Sequence, residues 1–350
     1  MSRKPKRRAG WLFPFVLLLA AATGYWAVTR YLGFADTPIA GLHAGDTLQV
    51  EQGDSFATVL GKLKAVGAQA HVLEWQALGR QLGVAGKLQV GEYALEPGTT
   101  PRMLLMRMRE GKVISHRFTI VEGWNIRELR AALGRAQPLR HDAAKLDDAG
   151  LMKALGHPGM HPEGRFLPET YVYTRGDGEL AVLRRAFDAM SLALAEAWKT
   201  RAADLPLQSP EQALALASIV EKETGVAEER PAIAGVFVRR LRIGMRLQTD
   251  PTVIYGMGAA YAGNIHKADL LADTPYNTYT RMGLPPTPIA MPGRAALQAA
   301  THPAAGDALY FVAVGDGSGR HVFTSSLAEH EAAVRQYIQR YRAARSPATP

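Results

Sequence analysis

The segment SPEQALALASIVEKETG, residues 209–225, carries the signals of one well-bounded helix. Ser209 opens an S-x-x-Q capping pattern, in which side chains satisfy the free N–H groups at the start of a helix. Pro210 stands at the first helical position, where its missing N–H costs nothing. Gly225 is a natural stop, because glycine tolerates the left-handed backbone that ends many helices. The pattern therefore predicts a helix whose last turn carries two glutamates.

These glutamates, Glu221 and Glu223, have different neighbours. At about 100° per residue they project roughly 200° apart, so they cannot form a close carboxylate pair in one site. Three, four and seven positions before Glu223 lies an apolar stripe: Val220, Ile219 and Leu216. The equivalent positions before Glu221 form a smaller and more polar set: Ser218, Ala217 and Leu214.

An apolar wall disfavours the charged form of a carboxyl group, so the pattern predicts a raised pKa for Glu223. A carboxylic acid that keeps its proton near neutral pH can donate it to a leaving oxygen, as a general acid does at a glycosidic bond. The stripe nominates Glu223 for this role and leaves Glu221 supporting or solvated. The alternative is an ordinary surface glutamate, since Lys222 and the charged residues 228–230 lie close by.

The amino terminus predicts a membrane segment. Five basic residues and no acidic ones fall within the first ten, and they supply five of the nine net positive charges, leaving four for the rest of the chain. The uncharged apolar run that follows, residues 11–29, is long enough to cross a bilayer as a helix. The basic flank predicts a cytoplasmic amino terminus, which places the remainder outside the cytoplasmic membrane.

A cleaved signal peptide is the alternative for this run, with residues 20–22, Ala-Ala-Ala, ending a short apolar region. Apolar character resumes at Tyr25 and Trp26, which favours retention as an anchor. Both interpretations carry the body of the chain across the membrane.

Composition and motifs exclude several classes of protein and of functional site. The chain has no cysteine, which excludes disulfides, thiolate metal sites and a cysteine nucleophile. Without paired-histidine or calcium-loop motifs we predict no metal and no cofactor, and His302 and His321 are interpreted as lone structural histidines. No G-x-S-x-G elbow is present. Because the basic excess is largely confined to the amino-terminal tail, nucleic-acid binding is not predicted.

The periodicities along the chain predict an α+β protein. Ser55 and Thr100 are placed to cap helices, and the apolar spacing after Ser55 follows one helix face. A further helix is predicted over residues 71–82, and strands around residues 91–95 and 114–121. Residues 309–314 and 321–323 flank a glycine-rich turn and predict a hairpin.

Several long motifs resemble one family, the endolytic murein transglycosylases, also called the MltG or YceG-like family. The resemblance begins with ASIVEKET at residues 217–224. The other matching segments are EGRFLPETY at 163–171, RRLRIGMRLQTDPTVIYG at 239–256, YNTYT at 276–280 and GLPP at 283–286. Thr287 and Met291 depart from the pattern, which has Gly and Asn in this proline-rich loop.

The resemblance implies a lytic transglycosylase held in the bacterial inner membrane by a single span, with its catalytic domain in the periplasm. Its substrate would be nascent peptidoglycan. The anchor would confine the enzyme to the membrane where new strands emerge, which makes cell-wall synthases candidate partners. In the family's E-K-E motif the second glutamate is catalytic, which falls on Glu223. The family also implies a small LysM-like module before the catalytic domain. The resulting division is a basic tail (1–10), a transmembrane helix (11–29), a linker (30–47), a LysM-like module (48–112), a catalytic domain (113–341) and a disordered tail (342–350).

Around Glu223 the motifs supply residue types that suit a sugar groove, since aromatic faces cover apolar sugar faces while amides and carboxylates bind hydroxyls. These substrate-binding candidates are Glu221, Gln248, Asp250, Tyr255, Tyr276, Asn277 and Tyr279. Tyr255 and Tyr279 are equally compatible with ordinary core or loop positions.

Two alternatives remain open at the level of sequence. Asp250 or Glu163 could serve as the second carboxylate of a glycan hydrolase, because spacing along the chain does not give their distance from Glu223. A membrane-tethered scaffold that binds glycan without cleaving it is the other alternative. The lytic outcome rests on the family resemblance.

Overall fold

The computed structural model describes residues 12–69, 72–84 and 86–345 of the 350-residue chain. These residues divide into two compact units: one runs to His116 and includes Thr174–Gly176, and the other contains Arg117–Tyr173 and the chain from Asp177 onward. The basic tail, His71 and the last five residues lie outside the described residues.

The first unit combines helices with one antiparallel pair of strands. Its elements are α1 (Leu12–Asp36), β1 (Thr47–Val50), α2 (Phe56–Ala65), α3 (Val72–Gln81), β2 (Gly91–Ala94) and α4 (Pro101–Glu110). Strands β1 and β2 are antiparallel, with Leu48 opposite Tyr93. Both side chains are fully buried against the apolar faces of the helices.

The predicted caps of this unit are confirmed. The Ser55 hydroxyl accepts a hydrogen bond from the N–H of Thr58 at 3.1 Å, and the Thr100 hydroxyl accepts one from Met103 at 3.2 Å. Each cap satisfies a backbone donor that the first helical turn leaves free.

Helix α1 is, within the described residues, the one helix long and apolar enough to cross a membrane. It continues to Asp36, so residues 30–36, predicted as the start of a linker, are helical. Its last turns contact the rest of the first unit: Arg30 pairs with Glu74 at 2.9 Å, and Asp36 with Arg102 at 2.7 Å. The uncharged run ends at Arg30, and a charge marks the end of a membrane span rather than the end of a helix.

The second unit is mainly helical. Its elements are β3 (Ser115–Thr119, which starts in the first unit), α5 (Ile126–Leu133), α6 (Asp148–Leu155), β4 (Thr170–Thr174), α7 (Glu179–Lys199), α8 (Pro210–Glu223), α9 (Arg230–Arg242), α10 (Asp250–Met257), α11 (Lys267–Leu271), α12 (Arg294–Thr301), β5 (Tyr310–Ala313), β6 (His321–Thr324) and α13 (Leu327–Arg345). The mixed helix-and-strand class is as predicted.

Helix α8 lies at the centre of this unit. Every residue from Ala213 to Val220 is buried, so the helix is enclosed by its neighbours rather than amphipathic. It packs against α7, α9 and α12. Its one buried polar side chain in this stretch, Ser218, donates to the Ala215 carbonyl at 2.7 Å and accepts from the Ile289 N–H at 3.0 Å.

The predicted carboxy-terminal hairpin is confirmed as β5 and β6, which are antiparallel with Phe311 opposite Phe323. Helix α13 then runs to Arg345, so residues 342–345, predicted as disordered, are helical. The hairpin and α13 pack together, and β5 also contacts α9. This arrangement forms one wall of the cavity described next.

Candidate active site

Glu223 is the last residue of α8 and faces a cavity of about 490 Å³. The capping at the other end of this helix is as predicted, with the Ser209 hydroxyl accepting from the Gln212 N–H at 3.3 Å. The cavity is lined by Glu223, Arg240, Leu247, Gln248, Asp250, Tyr279, Tyr310, Phe311, Val312, Ala313, His321, Leu327, His330 and Val334. Glu223 thus ends a rigid, buried helix at an open cavity.

The carboxyl group of Glu223 is held in a setting that favours its protonated form. Burial raises its pKa to about 7, and the nearby negative charge of Asp250 adds to the rise. Three influences oppose it: a hydrogen bond from the Thr249 hydroxyl to Oε1, and the charges of His321 and Arg240. A carboxyl group with this pKa can donate a proton and take one back near neutral pH.

Four of the predicted site residues share this cavity: Glu223, Gln248, Asp250 and Tyr279. The Tyr279 hydroxyl donates to Oδ1 of Asp250 at 2.6 Å, which holds both side chains in place. Together they present a carboxylate, an amide and a phenol, the groups that bind sugar hydroxyls.

Hydrogen bonds to Thr278 fix the conformation of residues 248–249, the short segment before α10. The Gln248 N–H donates to the Thr278 carbonyl at 3.2 Å, and the Thr249 N–H donates to the Thr278 hydroxyl at 3.1 Å. Gln248 adopts a left-handed backbone with φ of 50°, which is unfavourable for a residue with a side chain. This conformation leaves Leu247 and Thr249 buried on either side while Gln248 stays exposed.

Arg240, which the sequence analysis did not single out, ties this segment to the hairpin. Its residue surface is only 7% exposed, and it donates to the Leu309 carbonyl at 2.7 Å and to the Leu247 carbonyl at 2.6 Å. Its guanidinium group also lies 5.3 Å from the centre of the Tyr310 ring. In the sequence it stands in a run of arginines, which gives no sign that this one is buried.

His321 was predicted to be a lone structural histidine, and it lines the cavity instead. Its ring Nδ1 lies 2.8 Å from Oε2 of Glu229, and its backbone N–H donates to Oε1 of the same carboxylate at 3.0 Å. Ninety-two positions separate the two residues, so no local pattern could join them. His302 is structural as predicted: its ring contacts the Thr200 carbonyl and the Gln298 amide.

Asn277, which was predicted to bind substrate, is buried, and both the nitrogen and the oxygen of its side-chain amide form hydrogen bonds. Its amide nitrogen donates to the carbonyls of Asp269, Leu270 and Ala272 at 2.7–3.1 Å. Its carbonyl oxygen accepts from the Tyr279 N–H at 2.9 Å. Asn277 therefore caps the end of α11 and positions the backbone of Tyr279.

Tyr255 and Tyr276 also lie outside the lining of this cavity. Their rings pack edge to face at 4.8 Å beside the main core. The Tyr276 hydroxyl forms a hydrogen bond with the Thr287 hydroxyl at 2.9 Å. Thr287 is the first of the two residues that depart from the family pattern. Met291, the second departure, is fully buried and exchanges backbone hydrogen bonds with Trp124 and Gly123.

Glu221 is neither solvated nor free to bind a sugar. Its side chain is 4% exposed; Oε1 pairs with Arg230 at 3.2 Å and Oε2 accepts from the Gly293 N–H at 2.9 Å. Burial raises its pKa as well, so a raised pKa alone does not separate the two glutamates. What separates them is that both oxygens of Glu221 are engaged, whereas Glu223 faces a cavity.

Glu163 is a second buried carboxyl group, with a pKa raised to about 7 by burial. Both of its oxygens accept from the Ile126 N–H, at 3.1 and 3.2 Å, so it caps the start of α5. It is absent from the described lining around Glu223. Of the two candidate second carboxylates, only Asp250 shares the cavity with Glu223.

Comparison with known proteins identifies the family of this chain. The family model described as YceG-like matches residues 48–336, which is most of the chain. The chain belongs to the YceG-like family.

Three individual matches are consistent with this family. An endolytic murein transglycosylase from Bacillus subtilis is 30% identical over 83% of this chain and 84% of its own length. A protein of the same name from Streptococcus pneumoniae is 25% identical over 93% of this chain and 64% of its own length. The crystal structure of a putative YceG-like protein from Listeria monocytogenes has a TM-score of 0.52 and 27% identity, covering 82% of this chain and 98% of that one.

Proposed function

We propose that this chain is an endolytic lytic transglycosylase of peptidoglycan with Glu223 as its single acid and base. Family membership and the shared name of the curated relatives support an enzyme of the lyase class acting on peptidoglycan. The observation that carries the residue assignment is the position of Glu223: it ends a buried helix at a cavity, with a pKa raised to about 7.

The proposed reaction uses Glu223 twice. Its carboxyl group first protonates the oxygen that links MurNAc to GlcNAc, and the bond from that oxygen to C1 of MurNAc breaks. The resulting carboxylate then takes the proton from the C6 hydroxyl of the same MurNAc as that oxygen bonds to C1. The products are a free GlcNAc hydroxyl and a 1,6-anhydro-MurNAc end, and no water is consumed.

The other cavity residues fit binding and orientation of the glycan. Asp250, Gln248 and Tyr279 offer acceptors and donors for sugar hydroxyls. Tyr310 and Phe311, on β5, offer aromatic surface for the apolar face of a sugar ring. Arg240 places positive charge close to the carboxylate that forms after the first proton transfer, and the His321 ring lines the same cavity.

The proposed location is the inner membrane. Helix α1 would span it once, and the basic residues before α1 favour a cytoplasmic amino terminus with the catalytic unit in the periplasm. Residues 48–112 would form a LysM-like glycan-binding module. An anchored enzyme meets strands as they emerge from the membrane, which supports nascent glycan as substrate, termination of elongation as the role and cell-wall synthases as partners.

A hydrolase is the second candidate, because Asp250 shares the cavity with Glu223 and could act as the second carboxylate that hydrolysis requires. Mass analysis of products from purified glycan strands separates the two. A lytic reaction gives an anhydro end, whereas hydrolysis gives a product heavier by one water. Only anhydro products are expected; reducing MurNAc ends made by the enzyme would contradict the proposal.

A further inference from the structure

A second cavity, of about 440 Å³, lies beside the first and shares two of its lining residues, Gln248 and Tyr279. Its other lining residues are Arg246, Lys267, Leu270, Leu271 and Thr280. Because Gln248 and Tyr279 face both cavities, a polymer lying across Glu223 can continue past them into the second one.

The two cavities differ in charge. The first contains the carboxyl groups of Glu223 and Asp250 together with Arg240, whereas the second is lined by two cations and no acidic residue. Arg246 and Lys267 are exposed, and neither side chain makes a hydrogen bond or ion pair with any residue that the structure describes.

In the part of the chain that the structure describes, none of the acidic residues within six positions of these cations forms an ion pair with either of them. Asp250, four positions after Arg246, accepts from the Tyr279 hydroxyl at 2.6 Å. Asp273 pairs with Arg281 at 2.8 Å, and Asp269 accepts from the backbone N–H of His266 at 2.7 Å. Arg246 and Lys267 therefore line the second cavity without a direct ion-pair partner among the described residues. Leu271, 68% exposed, adds apolar surface beside the cations.

We propose that this second cavity is a glycan subsite that binds a carboxylate carried on the lactyl group of MurNAc. This inference rests on the proposed function. The carboxylate has two possible sources: the lactyl acid itself in strands without peptides, or the carboxylates of an attached stem peptide. Arg246 and Lys267 supply the opposite charge, and Leu270 and Leu271 the apolar contact for methyl groups.

Such a subsite would set the register of the strand. Only every second sugar carries the lactyl group, so a carboxylate held between Arg246 and Lys267 fixes which of the two alternating glycosidic bonds lies at Glu223. Arg246 and Lys267 are thus specificity-determining rather than catalytic residues.

The test measures binding to full-length protein in detergent, with Glu223→Gln present throughout to prevent cleavage. Three ligands of equal length are compared: glycan strands with stem peptides, the same strands stripped by an amidase, and neutral chitin oligosaccharides. We expect the double variant Arg246→Gln/Lys267→Gln to weaken binding of an anionic strand by about 5- to 10-fold, the size expected for two solvent-exposed charge contacts. Binding of the chitin oligosaccharide should not change.

The matched control is Lys153→Gln/Lys199→Gln, which removes two exposed cations that line neither cavity. It should leave all three affinities unchanged. If affinity falls only for the peptide-bearing strands, the stem peptide is the source of the carboxylate. If affinity falls equally for the stripped strands, the lactyl acid is the source. Unchanged affinity of the Arg246/Lys267 variant for both anionic strands would overturn the subsite.

Cleavage by the enzyme with Glu223 intact separates this inference from the function on which it rests. If that enzyme releases no product from any strand while the charge-dependent binding persists, the proposed function fails and the subsite stands. If cleavage proceeds but the two cations make no difference to binding, the subsite alone fails.

Discussion

The hydroxyl of Thr249 donates a hydrogen bond to Oε1 of Glu223, joining the residue before α10 to the end of α8. This bond favours the charged carboxylate and so opposes the effect of burial on the pKa of Glu223. A general acid must be protonated to act, so kcat/KM should fall as pH rises through about 7.

Thr249→Val removes the bond with little change in shape, and the descending limb of the pH profile should move to higher pH. The measurement is kcat/KM for release of anhydro product across the pH range that brackets the raised pKa of Glu223, about 7. Thr301→Val is the control, because Thr301 is also buried and hydrogen-bonded but lies on α12 outside the cavity. If the descending limb of the pH profile does not move in Thr249→Val, a group other than Glu223 determines its position.

The contact between Tyr279 and Asp250 predicts a difference between two tyrosines of the same motif. Tyr279→Phe loses the 2.6 Å bond that orients Asp250 in the cavity, so we expect KM to rise by about 5- to 20-fold, the value of one or two hydrogen bonds. Tyr276→Phe loses only a bond to Thr287, outside the described lining. Steady-state kinetics on defined glycan oligomers checks this, and equal KM values for the two variants would contradict the placement of the groove.

Glu221 should matter for stability rather than for chemistry. Glu221→Ala leaves the largely buried Arg230 side chain, 12% exposed, without its closest carboxylate and frees the Gly293 N–H. We expect a loss of about 2–4 kcal/mol in the free energy of unfolding, measured by denaturation in detergent. Glu228→Ala, at an exposed position seven residues later, should cost almost nothing. Unchanged stability in Glu221→Ala would mean that the pair contributes little.

Glu163 gives a prediction with a defined pH window. Its folded-state pKa, about 7, lies above the ordinary value of 4.5, so its contribution to stability is complete below 4.5 and is lost as pH rises through 7. Glu163→Gln keeps an acceptor for Ile126 but does not titrate.

The variant should therefore gain stability relative to the natural protein between about pH 5 and about pH 8, by up to about 3 kcal/mol. Thermal unfolding at the two pH values measures this gain. Glu228→Gln, an exposed change of the same kind, serves as the control. A difference that stays constant across this pH range would show that Glu163 ionises normally in the folded protein.

The sequence predicted what depends on local rules. The caps at Ser55, Thr100 and Ser209 and the carboxy-terminal hairpin follow from short-range hydrogen bonding and turn chemistry, and all are present. The raised pKa of Glu223 is as predicted, but the predicted contrast with Glu221 is not found, because the neighbours of both glutamates are buried and both pKa values are raised.

The other features of the candidate site depend on contacts between distant parts of the chain. Arg240 and His321 enter the cavity through partners 69 and 92 positions away, and neither carries a local signal. Asn277 has the residue type of a sugar ligand, but three backbone carbonyls use its amide. Residue type and motif therefore predicted residues near the cavity at Glu223, while tertiary packing decided which side chains face it.

The most direct test of the account is digestion of purified glycan strands by Glu223→Gln in parallel with the natural enzyme and Glu221→Gln. The amide that replaces the carboxyl group in Glu223→Gln cannot transfer a proton, so we predict that anhydro-MurNAc products disappear, with a fall in kcat of at least about 1,000-fold and little change in strand binding. Glu221→Gln should retain most of the activity of whatever fraction stays folded. An unchanged yield of anhydro products from Glu223→Gln would contradict the role of Glu223, and with it the proposed mechanism.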